Sequence, residues 1–359
     1  MKAVVRRGAE LVDTEIAEPV PGEGQALVST LVCGICGSDL HALHYLDHMI
    51  ALTKRAGGME TVDPAQDVVF GHEFCAEVLD YGPGCTGAIK PGTAVVSVPA
   101  AFGPQGGELV GYSNRFPGGF AERMVLTEAM LLPVPNGLDA ERAALTEPMA
   151  VGEHAVAQAP LTPRSVALVI GCGPVGLSVI SALKARGMGP VIATDFSPER
   201  RRAAELLGAD VVLDPREQSP HDRWEALDVP ATMASLSTSQ LLGRSIRDAV
   251  IFECVGVPGM IQQLIEKAPP TASIIVVGVC MESDSIEPSL AINKQLSLKF
   301  VFGYSPEEFA ATLHEIAEGA RDVAPLISGT VGRSGVKDAF KALSGGGDRI
   351  KVLVDPRRP

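Results

Sequence analysis

The rhythm of apolar and polar positions changes near residue 164. Before it, β-branched apolar runs are broken by Gly and Pro, with little helical periodicity. Ala26 to Val32, Val68 to Leu79, Ala94 to Val98 and Phe120 to Leu126 read as strands. Clusters such as Pro19-Val20-Pro21-Gly22 and Gly82-Pro83-Gly84 mark turns between them. This half is expected to be all-β, a barrel or a sandwich.

After residue 164 short apolar strands alternate with helices. Val166 to Ile170 is a strand, Val175 to Arg186 a helix closed by Gly187, and Val191 to Thr194 the next strand. Ser197 caps a helix with Pro198 at its first position, ending at Gly208. Ala249 to Phe252, Ser273 to Val277 and Leu298 to Phe302 continue the series. Such alternation predicts an α/β, doubly wound parallel sheet. The polar stretch Asp214 to Gly243 has weak periodicity and predicts no particular element. Ser305-Pro306-Glu307-Glu308 is a capping box opening a helix to about Glu318. A helix near Val336 to Leu343 and a strand, Ile350 to Val354, follow.

Composition narrows the function. At roughly 100–200 residues per domain, 359 residues hold about two domains. A hydrophobic fraction of 46% with 20% charged residues excludes wholesale disorder. A formal net charge of −13 opposes binding to nucleic acid or to an anionic membrane surface. The uncharged run Ser165 to Leu183 reaches membrane-spanning length, but Gly171, Gly173, Pro174 and Gly176 break it. Arg6 and Arg7 fall where an export signal carries its apolar stretch. The seven cysteines are irregularly spaced, which suits a reducing, cytoplasmic setting.

Gly171-Cys172-Gly173-Pro174-Val175-Gly176 lies between a predicted strand and a predicted helix. In that setting the glycines make a tight turn, admit a pyrophosphate and let helix and strand pack closely. Asp195 follows Gly171 by 24 positions, near the spacing of a ribose-binding carboxylate. Its charge opposes a 2′-phosphate and favours NAD over NADP. Of Arg200, Arg201 and Arg202, Arg200 is taken as the arginine nearest the cofactor, and the other two as a solvated face.

Cys33-Gly34-Ile35-Cys36 lacks a second CxxC and a thioredoxin-like surround, so neither a zinc ribbon nor a redox pair follows. Cys36, Ser38, Asp39 and His41 fall within six residues; His72-Glu73 and Glu147-Pro148 come later. Thiolate, imidazole and carboxylate together suit tetrahedral Zn²⁺ with one position left for water or substrate.

These motifs make the chain resemble the zinc-dependent alcohol dehydrogenases of the medium-chain dehydrogenase/reductase superfamily, in its polyol and threonine dehydrogenase-like branch. The residues that carry the resemblance are Gly34-Ile35-Cys36-Gly37-Ser38-Asp39-Leu40-His41, Gly71-His72-Glu73, Gly118-Gly119-Phe120-Ala121-Glu122, Glu147-Pro148-Met149-Ala150 and Gly171 to Gly176. They run in the family's order over essentially the whole chain.

The resemblance implies a GroES-like β domain carrying zinc, residues 1–150 and 303–359, and a Rossmann NAD-binding domain, residues 151–302, with the active site in the cleft between them. It implies Cys36 and His72 as zinc ligands, Glu73 as a ligand or an alternating one, and Glu147 at the third-ligand position. Asp39 orients His72, while Ser38 and His41 relay the proton. Gly171, Gly173, Pro174, Val175, Gly176, Asp195 and Arg200 serve the dinucleotide. The expected reaction is hydride transfer between NAD and a secondary alcohol, diol or polyol, in a homodimer or homotetramer. Leu298 to Phe302 is a candidate pairing strand.

Two departures from the family carry expectations of their own. The segment Val98 to Tyr112, where many relatives hold a structural zinc on four cysteines, contains none, so one zinc per chain is expected. His41 and His72 are 31 positions apart, and the intervening residues, with His44, His48, Met49 and Met59, are expected to form a helical flap or an inert surface insertion. Of the cysteines, only Cys36 is an expected ligand; Cys75, Cys85, Cys254 and Cys280 read as buried thiols. The competing readings are a zinc-free NADPH quinone or enone reductase and a non-catalytic dinucleotide-binding protein.

Overall fold

The computed structural model describes residues 1–103, 106–345 and 347–359. The chain divides into two units, Met1–Glu147 with Phe309–Pro359, and Pro148–Glu308. The sequence reading set those divisions at residues 150 and 303. Among the described residues, no helix is long and apolar enough to cross a membrane.

The first unit opens with an antiparallel hairpin, β1 (Lys2–Arg7) and β2 (Glu10–Glu15), which the apolar runs did not announce because charged residues close both strands. Then come β3 (Gln25–Gly34), α1 (Gly37–Arg55), β4 (Glu73–Tyr81), β5 (Ala94–Ser97), β6 (Ala100–Gly103), β7 (Gly106–Leu109), β8 (Arg123–Thr127), β9 (Leu131–Pro133) and α2 (Ala140–Ala144).

The run Val68 to Leu79 is not one strand. Val68 makes only a bridge to Arg6, and β4 starts at Glu73. Gly71 takes φ 102°, a left-handed conformation that interrupts the ladder and sets His72 in the break. Likewise Ala121 only bridges Ala3, and β8 begins at Arg123.

The second unit alternates regularly. Its elements are α3 (Thr146–Ala157), which straddles the division, β10 (Ser165–Ile170), α4 (Pro174–Ala185), β11 (Val191–Thr194), α5 (Pro198–Leu206), β12 (Val211–Leu213), α6 (Met233–Leu241), β13 (Asp248–Glu253), α7 (Met260–Lys267), β14 (Ser273–Val276), α8 (Pro288–Lys294), β15 (Ser297–Phe300) and α9 (Pro306–Ala317). The six strands are all parallel, in the order β12-β11-β10-β13-β14-β15. The order reverses beside β10, the switch point where ligands meet the carboxyl ends of such sheets. Between β12 and α6 the chain makes two 3-10 turns, and Trp224 between them is buried in the core with Leu213, Val229 and Leu264.

The chain then adds β16 (Ile327–Val331), α10 (Val336–Ser344) and β17 (Lys351–Val354) to the first unit. Its sheet runs β16-β17-β3-β4-β5-β9, with β8 also paired to β3. β17 lies antiparallel to β3, so the C-terminal strand borders the end of β3 where Cys33 and Gly34 stand.

Candidate active site

The first unit gathers the metal-competent residues around that end of β3. Cys36 is the N-cap of α1, and Asp39 reaches back from the first turn to accept the Cys36 N–H at 3.0 Å. One ligand atom from each of Cys36, His72 and Glu73 lies within 4.8 Å of the others. No other such group of His, Cys, Asp or Glu occurs among the described residues. His72 and Glu73 are buried. His72 Nδ1 has no hydrogen-bond partner and lies 3.6 Å from Asp39 Oδ1. Burial alone would lower the imidazole, but the charges of Asp39 and Cys36 outweigh it and hold His72 well above its usual value.

Glu73 also has a cationic partner. Lys351 Nζ donates to both carboxylate oxygens at 2.6 Å and to Ile35 O at 3.0 Å. Both side chains are 1% exposed. Burial lowers the Lys351 ammonium, yet Glu73 with Cys36 raises it above its ordinary range. The sequence signal was a lysine inside the apolar strand Ile350 to Val354, since a buried cation demands a partner. Gly34 makes room for the pair: a Cβ there would lie 2.1 Å from Glu73 Oε2. Glu147, buried in the first turn of α3, is not among the three residues that converge.

Ser38 and His41 sit one turn apart on α1, both half-buried, and burial lowers the His41 imidazole. Tyr112, which sequence reasoning passed over, is buried with its hydroxyl 2.9 Å from Ser38 Oγ and 3.0 Å from Asp39 Oδ1. Burial and the Asp39 charge push its hydroxyl well above the usual value, so it stays a neutral phenol.

Other expected features fare differently. The 42–70 segment is only half helical: α1 ends at Arg55, and residues 56–70 form neither helix nor strand. His44 and His48 are exposed on α1 and join no metal cluster. Met49 packs on the core, while Met59 is exposed. The described part of 98–112 contains the β6–β7 hairpin, where buried Glu108 meets Ser113 and Arg115. Residues 104 and 105 lie outside the described set. Cys75 is buried as expected, but Cys85, Cys254 and Cys280 are only partly so, because they lie in loops rather than strands. All seven thiols are free.

In the second unit the glycine turn has distinct local duties. Gly171 takes φ 88°, and a Cβ on Gly176 would lie 1.8 Å from Gly171 O. Around Gly173 no heavy atom lies within 4 Å of a Cβ, an open cradle at the start of α4. Asp195 accepts from Cys172 N at 2.7 Å and from Ser197 N at 2.8 Å. Arg200 Nη1 lies 4.0 Å from its carboxylate. Arg201 is not a solvated residue: it pairs with Asp214 at 3.0 Å and donates to the Asp195 and Phe196 carbonyls. Arg202 alone is exposed.

An alcohol dehydrogenase GroES-like domain matches residues 22–136, and a zinc-binding dehydrogenase domain matches residues 174–318. The (R,R)-butanediol dehydrogenase of Bacillus subtilis (strain 168) is 33% identical over 350 residues, 95% of each chain. The chain belongs to the zinc-dependent medium-chain alcohol dehydrogenases. Sorbitol dehydrogenase of the same organism is 27% identical over 380 residues, covering 100% of this chain and 98% of that one. The crystal structure of 2R,3R-butanediol dehydrogenase from Bacillus subtilis superposes with a TM-score of 0.78 at 29% identity, covering 99% of both chains. As a member of this family the chain is an alcohol oxidoreductase, and its two units are the GroES-like and Rossmann-type folds expected.

Proposed function

We propose that the enzyme binds one catalytic zinc and uses NAD to oxidise a secondary alcohol, diol or polyol to the ketone or aldehyde. The observation that carries this reading is the convergence of Cys36, His72 and Glu73 within 4.8 Å. The partly buried Cys36 thiol with the buried His72 imidazole and Glu73 carboxylate fits Zn²⁺. Cys36 and His72 hold the metal, with Glu73 or Glu147 as the third protein ligand. Lys351 competes for Glu73, so Glu73 serves only while it shares or leaves that ammonium.

When bound, zinc supplies a Lewis acid that polarises the substrate oxygen, and the nicotinamide supplies the hydride acceptor. The residues supply binding, orientation and proton handling. Asp39 faces His72 Nδ1 and fixes the ring's orientation. Ser38 accepts the alcohol proton as it gives up its own, and His41, whose imidazole burial lowers, carries the released proton onward.

The open cradle at Gly173 receives the pyrophosphate at the α4 N-terminus. Each Asp195 oxygen uses one lone pair on a backbone N–H and keeps another for the ribose hydroxyls. The same negative charge disfavours NADP, with Arg200 offsetting part of it.

The diol or polyol preference rests on Glu147 and on relatives that act on butanediol and sorbitol. A homodimer or homotetramer is supported by the β15 edge, where Phe300 and Phe302 are 69% and 92% exposed. The seven free thiols support a reducing, cytoplasmic location. Metal analysis together with NADH and NADPH formation over a panel of alcohols tests the reading. One zinc per chain with NAD-linked turnover of vicinal diols or polyols is expected; turnover without metal contradicts it.

A further inference from the structure

Tyr112 enters the site from the stretch after β7, outside the residues that carry the family resemblance. Its ring lies 5.5 Å from His72 and 5.7 Å from Phe70, centroid to centroid. Its hydroxyl touches two partners, Ser38 Oγ at 2.9 Å and Asp39 Oδ1 at 3.0 Å. A phenol has one proton to donate and lone pairs with which to accept. The hydroxyl therefore bridges Ser38 Oγ and Asp39, the residue that faces His72.

The backbone around Tyr112 is braced by the segment that lengthens the His41–His72 spacing. Thr61 Oγ1 donates to Tyr112 O at 3.0 Å. Asn114 accepts from Asp63 N at 2.6 Å, and its amide donates to the Asp63 and Asp67 carbonyls at 3.3 Å each. Residues 61–67 are thus tied to 112–114, on either side of the hydroxyl contact.

We propose that Tyr112 is a positioning residue of the proton relay, its hydroxyl holding Ser38 Oγ in place, with the 56–70 segment as the brace that keeps it there. The proposal rests on the dehydrogenase reading above, in which Ser38 takes the alcohol proton. Tyr112 itself neither binds metal nor carries the proton to solvent.

The test compares Tyr112→Phe, Tyr112→Leu, Ser38→Ala and the Ser38→Ala/Tyr112→Phe double variant in kcat, KM, zinc per chain and retention of zinc against a chelator. Removing a general acid–base partner lowers rates by about 10²–10⁴-fold, and that is expected of Ser38→Ala. Tyr112→Phe is expected to lower kcat about ten-fold, with KM within two-fold and zinc content and retention unchanged. In the Ser38→Ala background it is expected to add nothing, because its effect passes through Ser38.

Three results would overturn the proposal: Tyr112→Phe at wild-type rates while Tyr112→Leu is impaired, losses that multiply in the double variant, or zinc lost from Tyr112→Phe. A wild-type chain that holds zinc yet forms no NADH from any alcohol overturns the dehydrogenase reading itself. Turnover that needs Ser38 but not the Tyr112 hydroxyl overturns only the present proposal.

Discussion

Lys351 on the C-terminal strand holds both carboxylate oxygens of Glu73 at 2.6 Å, joining positions 278 residues apart in a buried ion pair. Removing one partner of such a pair leaves a desolvated charge and costs about 3–5 kcal/mol. Lys351→Met is therefore expected to lower denaturation stability by that amount, and Lys351→Met/Glu73→Gln to recover at least half. A single-variant loss below about 1 kcal/mol in urea titration contradicts the pairing.

The glycines of the dinucleotide turn separate folding from binding. A Cβ on Gly176 meets Gly171 O at 1.8 Å, so Gly176→Ala is expected to cost about 2–4 kcal/mol in stability. Gly173 has open space, so Gly173→Ala is expected to fold normally. It places a methyl where the proposed NAD-binding mode brings the pyrophosphate, and NADH affinity measured by fluorescence titration is expected to fall at least about ten-fold, some 1.4 kcal/mol.

Asp195→Gly, with Arg200 intact, is expected to shift the NAD to NADP ratio of kcat/KM towards NADP by about ten-fold or more, the equivalent of about 1.4 kcal/mol. The carboxylate proposed to repel a 2′-phosphate goes, and a guanidinium 4.0 Å from its former position stays. An unchanged ratio contradicts the role given to Asp195.

His221 gives the nucleotide unit an acid-sensitive point. Burial first, and Lys267 second, lower its imidazole from 6.5 to about 4, and its Nδ1 is buried without a partner. As pH falls below 6.5, the unfolded chain takes up the proton while the folded chain does not until about 4. Stability is therefore full above pH 6.5 and declines through that window by about 3 kcal/mol, at 1.36 kcal/mol per unit. Denaturant midpoints between pH 7 and 4 check this: His221→Leu is expected to flatten the decline, and equal slopes contradict it.

Most of the parallel sheet was legible because five of its six strands are short, largely apolar runs between helix signals, while β12 was not; Val191 to Thr194 and the Ser197 cap stand as the pattern predicts. The β unit was less so. Its hairpin β1–β2 ends in charged residues, and Gly71 divides a run that periodicity alone makes continuous. At the site, Cys36, His72 and Glu73 were legible as motif residues, because they and their neighbouring glycines cluster locally in the sequence. Lys351 and Tyr112 were not, because each reaches the cluster through a long-range contact, 278 residues from Glu73 and 74 from Ser38. A buried lysine and a buried tyrosine announce that a partner exists, but spacing does not say which.

The Cys36–His72 site is proposed to hold the zinc on which alcohol oxidation depends. The most direct test is NADH formation from a vicinal diol or polyol by the enzyme stripped of metal with a chelator, before and after zinc is restored. Loss of turnover on stripping and its return at one zinc per chain is the predicted result, with Cys36→Ser neither binding zinc nor recovering. Full turnover by stripped enzyme, or by Cys36→Ser, contradicts the account.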